Sequence, residues 1–303
     1  MVHVTDRLFG ASPEEAAEVV DQLAGRARLA LALHDIPQPA EGSQWYARRS
    51  RAYAAMGQAA RVVVVASEHE RKALGRCLDD ATGSPSCDSR VVVVPLPIEQ
   101  GAEERTHPPR RDVGTAEVGI LGYLYPGKGV EDVLAAVTVL RREALDVRVT
   151  CLGAPAEGHA DYADELARRA TDAQVPFRIT GYLPDAELPS RLRAVDVPVA
   201  SHRHISASGS MNTWLEAGRR PVTLPSPYAR ELTARIPGAL EITEDLVAGV
   251  REALDHPEGT WLNSDVALGP SVAEVARQHA DLLDALRNTL DAAGAPVERT
   301  PAR

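Results

Sequence analysis

A series of short apolar runs, alternating with amphipathic helical segments, constrains the fold more than any other feature of the sequence. Residues 62–65 are four consecutive valines, which fits a strand that is buried on both faces. Strands that alternate with helices indicate βαβ units and a parallel sheet. The predicted strands are residues 2–4, 29–33, 61–66, 90–95, 116–121, 147–152, 177–180, 195–200 and 220–224.

Several helix starts are marked by local chemistry. Ser12, Pro13 and Glu15 combine an N-cap, a proline at the first helical position and a capping-box glutamate. A similar pattern begins at Ser67, and Pro184 opens a further predicted helix. The expected fold class is therefore α/β.

The length of 303 residues is typical of two domains. Residues 101–114 are polar and contain Pro108 and Pro109, which indicates an interdomain linker. We predict an N-terminal domain over residues 1–108, a second domain over 109–265, and a helix and tail over 266–303.

Charge and cysteine content exclude some classes of function. The net charge of −10 argues against nucleic-acid binding, which needs a clustered basic face. Three cysteines without metal-ligand spacing favour a reducing compartment, so we predict a cytoplasmic protein. The sequence has no run of eighteen apolar residues and therefore no predicted transmembrane segment, although peripheral contact with membrane-bound substrates is compatible with it.

A glycine-rich loop follows the predicted strand 116–121 and precedes a helical segment. Gly122, Gly127 and Gly129 allow close approach of a ligand, and Lys128 adds a positive charge beside a helix N-terminus. The loop matches the first seven positions of a P-loop, but Gly129 replaces the Ser or Thr that would hold Mg²⁺. The expected ligand is a diphosphate, and the alternative is a simple turn with a solvated lysine.

A serine-rich turn over residues 202–210 follows a later strand and leads into another helix. Ser206, Ser208 and Ser210 place small hydroxyl groups near that helix N-terminus, which predicts a second anion contact. The alternative is an ordinary capped helix. His202 and His204 lie two residues apart, but a metal site needs a further ligand, so no metal is predicted.

Together these segments resemble the retaining glycosyltransferases of the GT-B fold, family 4, over nearly the whole chain. The resemblance implies two Rossmann-like domains facing a cleft, with a closing helix in residues 266–303. It implies a nucleoside-diphosphate sugar as co-substrate, with no metal and no separate cofactor. The matching segments are residues 31–35, 64–70, 90–98, 122–129, 181–188, 195–197, 208–209, 221–222 and 230–232.

The resemblance also implies roles for single residues. Lys128 matches the lysine on the donor diphosphate, and His34 matches the acceptor-side histidine near the reacting sugar, so both are expected catalytic residues. Residues 181–183 lie where the family holds the nucleotide base. The residues expected to bind the donor are Gly122, Tyr123, Gly127, Lys128, Gly181, Tyr182, Leu183, Ser206, Ser208, Gly209, Ser210, Asn212 and Glu216.

The sequence departs from the family at the phosphate contacts. Tyr123 stands where the family has an arginine, so one charged partner of the phosphate is missing unless a later arginine replaces it in space. The candidates are Arg203, Arg219 and Arg220.

A second departure concerns two family glutamates, eight positions apart, that hold the sugar and the ribose. A gapless match, which we favour, puts Ser206 and Trp214 at these positions. A shift by two residues puts Ser208 and Glu216 there. The first carboxylate is replaced by a serine in both registers.

The N-terminal domain is expected to be incomplete, short of the family by roughly 50–70 residues. The predicted function is transfer of a sugar from a nucleoside-diphosphate donor with retention of configuration. The alternatives are a non-catalytic homologue that binds a nucleotide sugar or a partner, and a P-loop-like phosphotransferase. The donor base, the acceptor and the oligomeric state are not specified by the sequence.

Overall fold

A computed structural model of the chain describes residues 1–83, 90–100 and 114–294, with side chains described as far as residue 288. Two compact units are present. The first comprises Met1–Pro97 and Pro270–Arg303, and the second comprises Ile98–Gly269. The predicted domain boundary at residues 108–109 lies outside the described residues, as does nearly all of the predicted linker.

The first unit contains a four-stranded parallel sheet in the order β1-β2-β3-β4. Both β2 and β3 are buried along their whole length, which confirms the inference from the apolar runs. The elements of this unit are β1 (Val2–Val4), α1 (Asp6–Phe9), α2 (Pro13–Ala24), β2 (Ala30–Leu33), a 3₁₀ helix (Pro39–Glu41), α3 (Ser43–Ala59), β3 (Val62–Val65), α4 (Glu68–Thr82), β4 (Val91–Val93) and α11 (Val272–Gly294).

The second unit contains a six-stranded parallel sheet in the order β10-β9-β8-β5-β6-β7. Counted along the chain from β5, this is the 3-2-1-4-5-6 strand order of dinucleotide-binding domains. The elements are β5 (Ala116–Leu121), α5 (Val130–Arg142), β6 (Val147–Leu152), α6 (Ala160–Asp172), β7 (Phe177–Ile179), α7 (Leu188–Arg193), β8 (Val197–Ala200), α8 (Gly209–Glu216), β9 (Val222–Thr223), α9 (Pro227–Arg235), β10 (Glu241–Ile242), α10 (Leu246–Asp255) and a 3₁₀ helix (Pro257–Thr260).

The predicted helix caps are present. Ser12 Oγ accepts a hydrogen bond from the backbone N–H of Glu15 at 3.2 Å, and Ser67 Oγ accepts one from that of Glu70 at 2.9 Å. The prediction that a helix begins at Pro184 is wrong. Residues 184–187 precede the helix, and α7 begins at Leu188 because Pro189 lacks an N–H and is tolerated only in a first turn.

The α/β fold class with parallel sheets is confirmed, and strand β10 was not predicted. It has two residues and no periodic pattern of its own, so nothing local distinguishes it from a loop. Valine, leucine and alanine dominate the main core of the second unit, as the low aromatic content requires. In the described part of the chain, no helix is both long and apolar enough to cross a membrane.

Candidate functional site

The carboxyl ends of β5 and β8 form the switch point of the second sheet. These strands are parallel neighbours, with Val118 opposite Val197. The chain continues from β5 to β6 on one side of this pair, and from β8 to β9 on the other side. The loops after them therefore separate and leave a crevice, where ligands of such sheets bind. The loop with Lys128 follows β5, and His202 lies just after β8.

Gly129 explains how closely these two loops pack. It precedes α5 with a φ of 80°, and a Cβ added there would lie 1.9 Å from the carbonyl oxygen of Ser201. Ser201 Oγ in turn donates a hydrogen bond to the carbonyl oxygen of Lys128 at 3.0 Å. The position that carries Ser or Thr in a P-loop must therefore be glycine in this chain.

Lys128 is a buried cation at this switch point. Its side chain is only 3% exposed, and Nζ lies 2.9 Å from His202 Nε2 and 3.3 Å from Ser210 Oγ. Burial lowers the pKa of Lys128 from 10.5 to about 8. Among the described residues no carboxylate forms an ion pair with it, so its charge is available to an anion.

His202 is the neutral partner of Lys128. An ammonium group can only donate, so Nε2 accepts and the ring proton resides on Nδ1. Burial, followed by the charge of Lys128, lowers the pKa of His202 to about 3. This role of His202 was not predicted from the sequence, although its place just after the buried end of β8 was a usable signal.

The serine-rich turn supplies a helix N-terminus to the same site. Ser208 Oγ caps α8 by accepting from the backbone N–H of Met211 at 3.1 Å, and lies 3.2 Å from Ser210 Oγ. Gly209 is the exposed first residue of α8. The unpaired N–H groups and the positive end of the dipole of α8 therefore reinforce Lys128, as an anion site requires.

The remaining predicted residues of the turn and α8 differ in accessibility. Ser206 and Asn212 are buried, whereas Glu216, at the end of α8, is half-buried and accepts a hydrogen bond from the backbone N–H of Glu99 at 3.1 Å. Trp214 has no exposed surface, so it cannot hold a ribose. The burial of Trp214 argues against the favoured gapless register, whereas Glu216 of the shifted register keeps part of its surface exposed. The register that holds the donor stays a prediction.

The predicted base-binding residues follow β7, at the same edge of the sheet as the Lys128 loop. Gly181 has a φ of 75°, and the side chain of Tyr182 is 71% exposed. Leu183 packs against the apolar cluster around Trp214. Tyr123 is 62% exposed beside the glycine loop. Their contacts with a nucleotide stay a prediction.

Each of the three arginines that could replace the charge missing at Tyr123 already has partners. Arg203 makes two hydrogen bonds to the carboxylate of Asp132, at 2.7 and 2.8 Å. Arg220 pairs with Glu241 at 2.6 Å. Arg219 is fully buried and donates to backbone carbonyl oxygens, so all three guanidinium groups are already engaged.

Asp196 lies at the edge of the second sheet opposite the Lys128 loop. It precedes β8, and its Oδ2 accepts from the backbone N–H of Glu117 at 2.7 Å. Lys128 follows the opposite end of the neighbouring strand, so Asp196 cannot complete a P-loop metal site. Within the described residues, no group of three His, Cys, Asp or Glu side chains is arranged to hold a metal ion.

His34 lies in the first unit, directly after β2. Its ring stacks on that of His3 with centroids 5.3 Å apart, and His3 Nδ1 lies 3.0 Å from His34 Nε2. His279 of α11 meets His3 edge-on at 6.2 Å. Burial and then the proximity of His3 lower the pKa of His34. This histidine cluster was not predicted from the sequence, and the acceptor role of His34 stays a prediction.

Comparisons with known proteins relate this fold to sugar-transferring enzymes. No protein-family model matches the chain, and no curated protein matches it by sequence. The structure of HepE from Anabaena in complex with UDP and glucose is similar, with a TM-score of 0.69, 18% identity, and coverage of 89% of this chain and 76% of that one.

Two further solved structures share the architecture. The UDP-forming α,α-trehalose-phosphate synthase from Burkholderia vietnamiensis has a TM-score of 0.67 at 13% identity and covers 97% of this chain and 73% of its own. S. aureus TarM, solved with UDP, has a TM-score of 0.55 at 12% identity, with 76% and 44% covered. The fold of this chain is therefore that of two-domain GT-B glycosyltransferases.

Proposed function

We propose that the chain is a retaining glycosyltransferase that takes its sugar from a nucleoside-diphosphate donor. The observation that carries the proposal is Lys128, a buried ammonium group without an acidic partner among the described residues, held beside the N-terminus of α8. This arrangement suits a diphosphate better than a neutral ligand. The UDP bound by HepE and TarM, which share the fold, supports the same ligand class.

The proposed chemistry places these groups on the leaving diphosphate. The bond between the anomeric carbon and the phosphate oxygen breaks, a bond to the acceptor oxygen forms, and the acceptor proton passes to the leaving phosphate. Lys128 and the N–H groups of α8 stabilise the negative charge that develops, each such contact contributing about 1.5–3 kcal/mol. His34 is assigned to the acceptor side by the family resemblance.

A donor is expected to change the ionisation of its own site. With a pKa of about 8, Lys128 is mostly charged at neutral pH but loses its proton in mild alkali. A bound diphosphate favours the ammonium form and raises that pKa. Donor binding is therefore expected to weaken above pH 8 and to take up a proton there.

Replacement of the two lysines of the chain tests the proposal. Release of free nucleoside diphosphate is measured with UDP-, GDP-, ADP-, CDP- and dTDP-sugars, with a chelator present because the proposed reaction needs no metal. Lys128→Ala is expected to lower turnover about 100-fold or more, by analogy with the loss of a donor in an oxyanion site. The exposed Lys72→Ala, on α4, is the matched control and should leave turnover unchanged. Circular dichroism verifies that both variants fold, and undiminished turnover by Lys128→Ala would contradict the proposal.

A non-catalytic nucleotide-sugar-binding protein is the second candidate. It is favoured by the serine, Ser206 or Ser208, that replaces the first family carboxylate in either register. The hydroxyl of Ser208 is in addition engaged in capping α8. This candidate predicts that a nucleotide sugar raises the melting temperature but that no diphosphate is released with any acceptor. Hydrolysis or transfer of the same donor excludes it.

A further inference from the structure

The geometry points to His202 as a positioning residue for Lys128: a neutral imidazole that accepts from the ammonium group and keeps it directed at the N-terminus of α8. This inference rests on the proposed function of the site and goes beyond it, since neither the fold nor the family resemblance gives this position a role. It concerns how the cation is oriented before a donor arrives.

Three polar atoms form the triangle that carries the inference. Lys128 Nζ lies 2.9 Å from His202 Nε2 and 3.3 Å from Ser210 Oγ, and Ser210 Oγ lies 3.4 Å from His202 Nε2. An ammonium group has three donors. Among the described residues two of them have partners, which leaves the third for a phosphate oxygen.

A neutral acceptor suits this task better than a carboxylate. Asp or Glu at position 202 would neutralise Lys128 and compete with the phosphate for it. The low pKa of His202 keeps the ring uncharged at any working pH. The thiol of Cys151, which also interacts with Lys128, has its pKa raised to about 12 by burial and stays neutral as well.

The second ring nitrogen indicates that stability is not the reason for this histidine. His202 Nδ1 is buried and has no hydrogen-bond partner within the described residues. A buried donor without a partner costs about 1–3 kcal/mol. The His202 ring carries this cost and contacts the buried Lys128. We therefore explain the presence of a histidine at this position by its effect on that lysine.

Lysine NMR tests the inference without any ligand. The chain contains only Lys72 and Lys128, so ε-¹³C-lysine labelling gives two assignable side-chain signals. The pKa of Lys128 is measured in the wild type, in His202→Gln, whose amide oxygen can accept in place of Nε2, and in His202→Leu, which cannot accept. His204→Leu, an exposed histidine two residues along, is the matched control.

We expect Lys128 to keep its pKa near 8 in the wild type, in His202→Gln and in His204→Leu, and to titrate about one unit lower in His202→Leu. UDP affinity, measured by calorimetry at neutral pH, should fall about tenfold in His202→Leu. It should stay close to wild type in His202→Gln and His204→Leu.

Two outcomes overturn the inference: an unchanged Lys128 pKa in His202→Leu, or an equal change in His204→Leu. If His202→Leu does not fold, His202→Ala takes its place in the same titration. Failure of the proposed function is distinguishable, because a wild type that binds no nucleoside diphosphate still yields the Lys128 titration.

Discussion

At the scale of one residue, the burial of Lys128 suits ligand binding but lowers the stability of the folded chain. The folded chain holds this group with its pKa lowered by burial from 10.5 to about 8, whereas the unfolded chain leaves it near 10.5. The unfolded state therefore binds the proton more tightly. The cost to the folded state, on the order of 3 kcal/mol, is present in full below pH 8 and disappears as the pH rises to 10.5.

Lys128→Met is therefore expected to stabilise the protein. The free energy of unfolding in urea at pH 7 should rise by about 1–3 kcal/mol, because an apolar chain of similar length replaces a buried charge. The gain should shrink when the titration is repeated at pH 10, and binding of UDP should be lost. Lys72→Met, at the surface, should change neither quantity, and a less stable Lys128→Met at pH 7 would contradict this account.

Arg219 acts at the scale of elements, where it ties the segment before β8 to the 3₁₀ helix Pro257–Thr260. Its guanidinium group donates to the carbonyl oxygens of the segment from Leu192 to Asp196 and to both oxygens of Thr260. The group also lies 4.3 Å from the ring centre of Trp261. Burial lowers the pKa of Arg219 to about 10, which leaves it charged at neutral pH.

Arg219→Leu is expected to destabilise the second unit. Several buried carbonyl oxygens lose their donor at once, which places the loss at about 3–5 kcal/mol in the free energy of unfolding. Arg220→Leu removes a partly exposed ion pair with Glu241 and should cost less than about 1 kcal/mol. Urea unfolding of the two variants measures the difference. Similar losses of unfolding free energy would show that Arg219 does not hold the two segments together.

Some helix and strand bounds could be predicted from local sequence patterns alone. Strand β5 has the predicted bounds, and a helix follows the glycine loop as expected, because a continuous apolar run and a 3.6-residue periodicity depend on neighbouring residues. The start of α7 was misplaced because Pro184 and Pro189 both look like first-turn prolines. The backbone N–H groups of Glu187 and Leu188 donate to the carbonyl oxygen of Pro184, so this segment forms a turn that becomes a helix only from Leu188.

At the scale of the whole molecule, partly buried histidines in both units determine how stability changes in acid. The pKa of His202 is about 3 in the second unit, and burial lowers those of His34 and His279 in the first. Each group takes a proton in the unfolded chain near its ordinary value of 6.5 but resists it when folded. Stability is therefore present above pH 6.5 and is lost as the pH falls below it.

Tryptophan fluorescence allows this effect to be followed in the second unit alone. Trp214 and Trp261 lie there, so a Trp45→Phe background removes the signal of the first unit. The melting temperature of that background should fall by about 10 °C or more between pH 7 and pH 4, and His202→Gln should reduce the fall. His204→Gln should not reduce it, and an equal fall in all variants would exclude His202 as the source.

The sequence by itself determined the parallel α/β class, the glycine loop and the selection of Lys128 as the candidate phosphate ligand. Each of these depends on residues that are neighbours along the chain. Only the tertiary structure decided the surroundings of that lysine. His202 lies 74 positions away and reaches Lys128 because the crossovers place β8 beside β5. The same long-range packing buries Trp214 and engages Arg203, Arg219 and Arg220, so local patterns could not reveal which side chains remain available to a ligand.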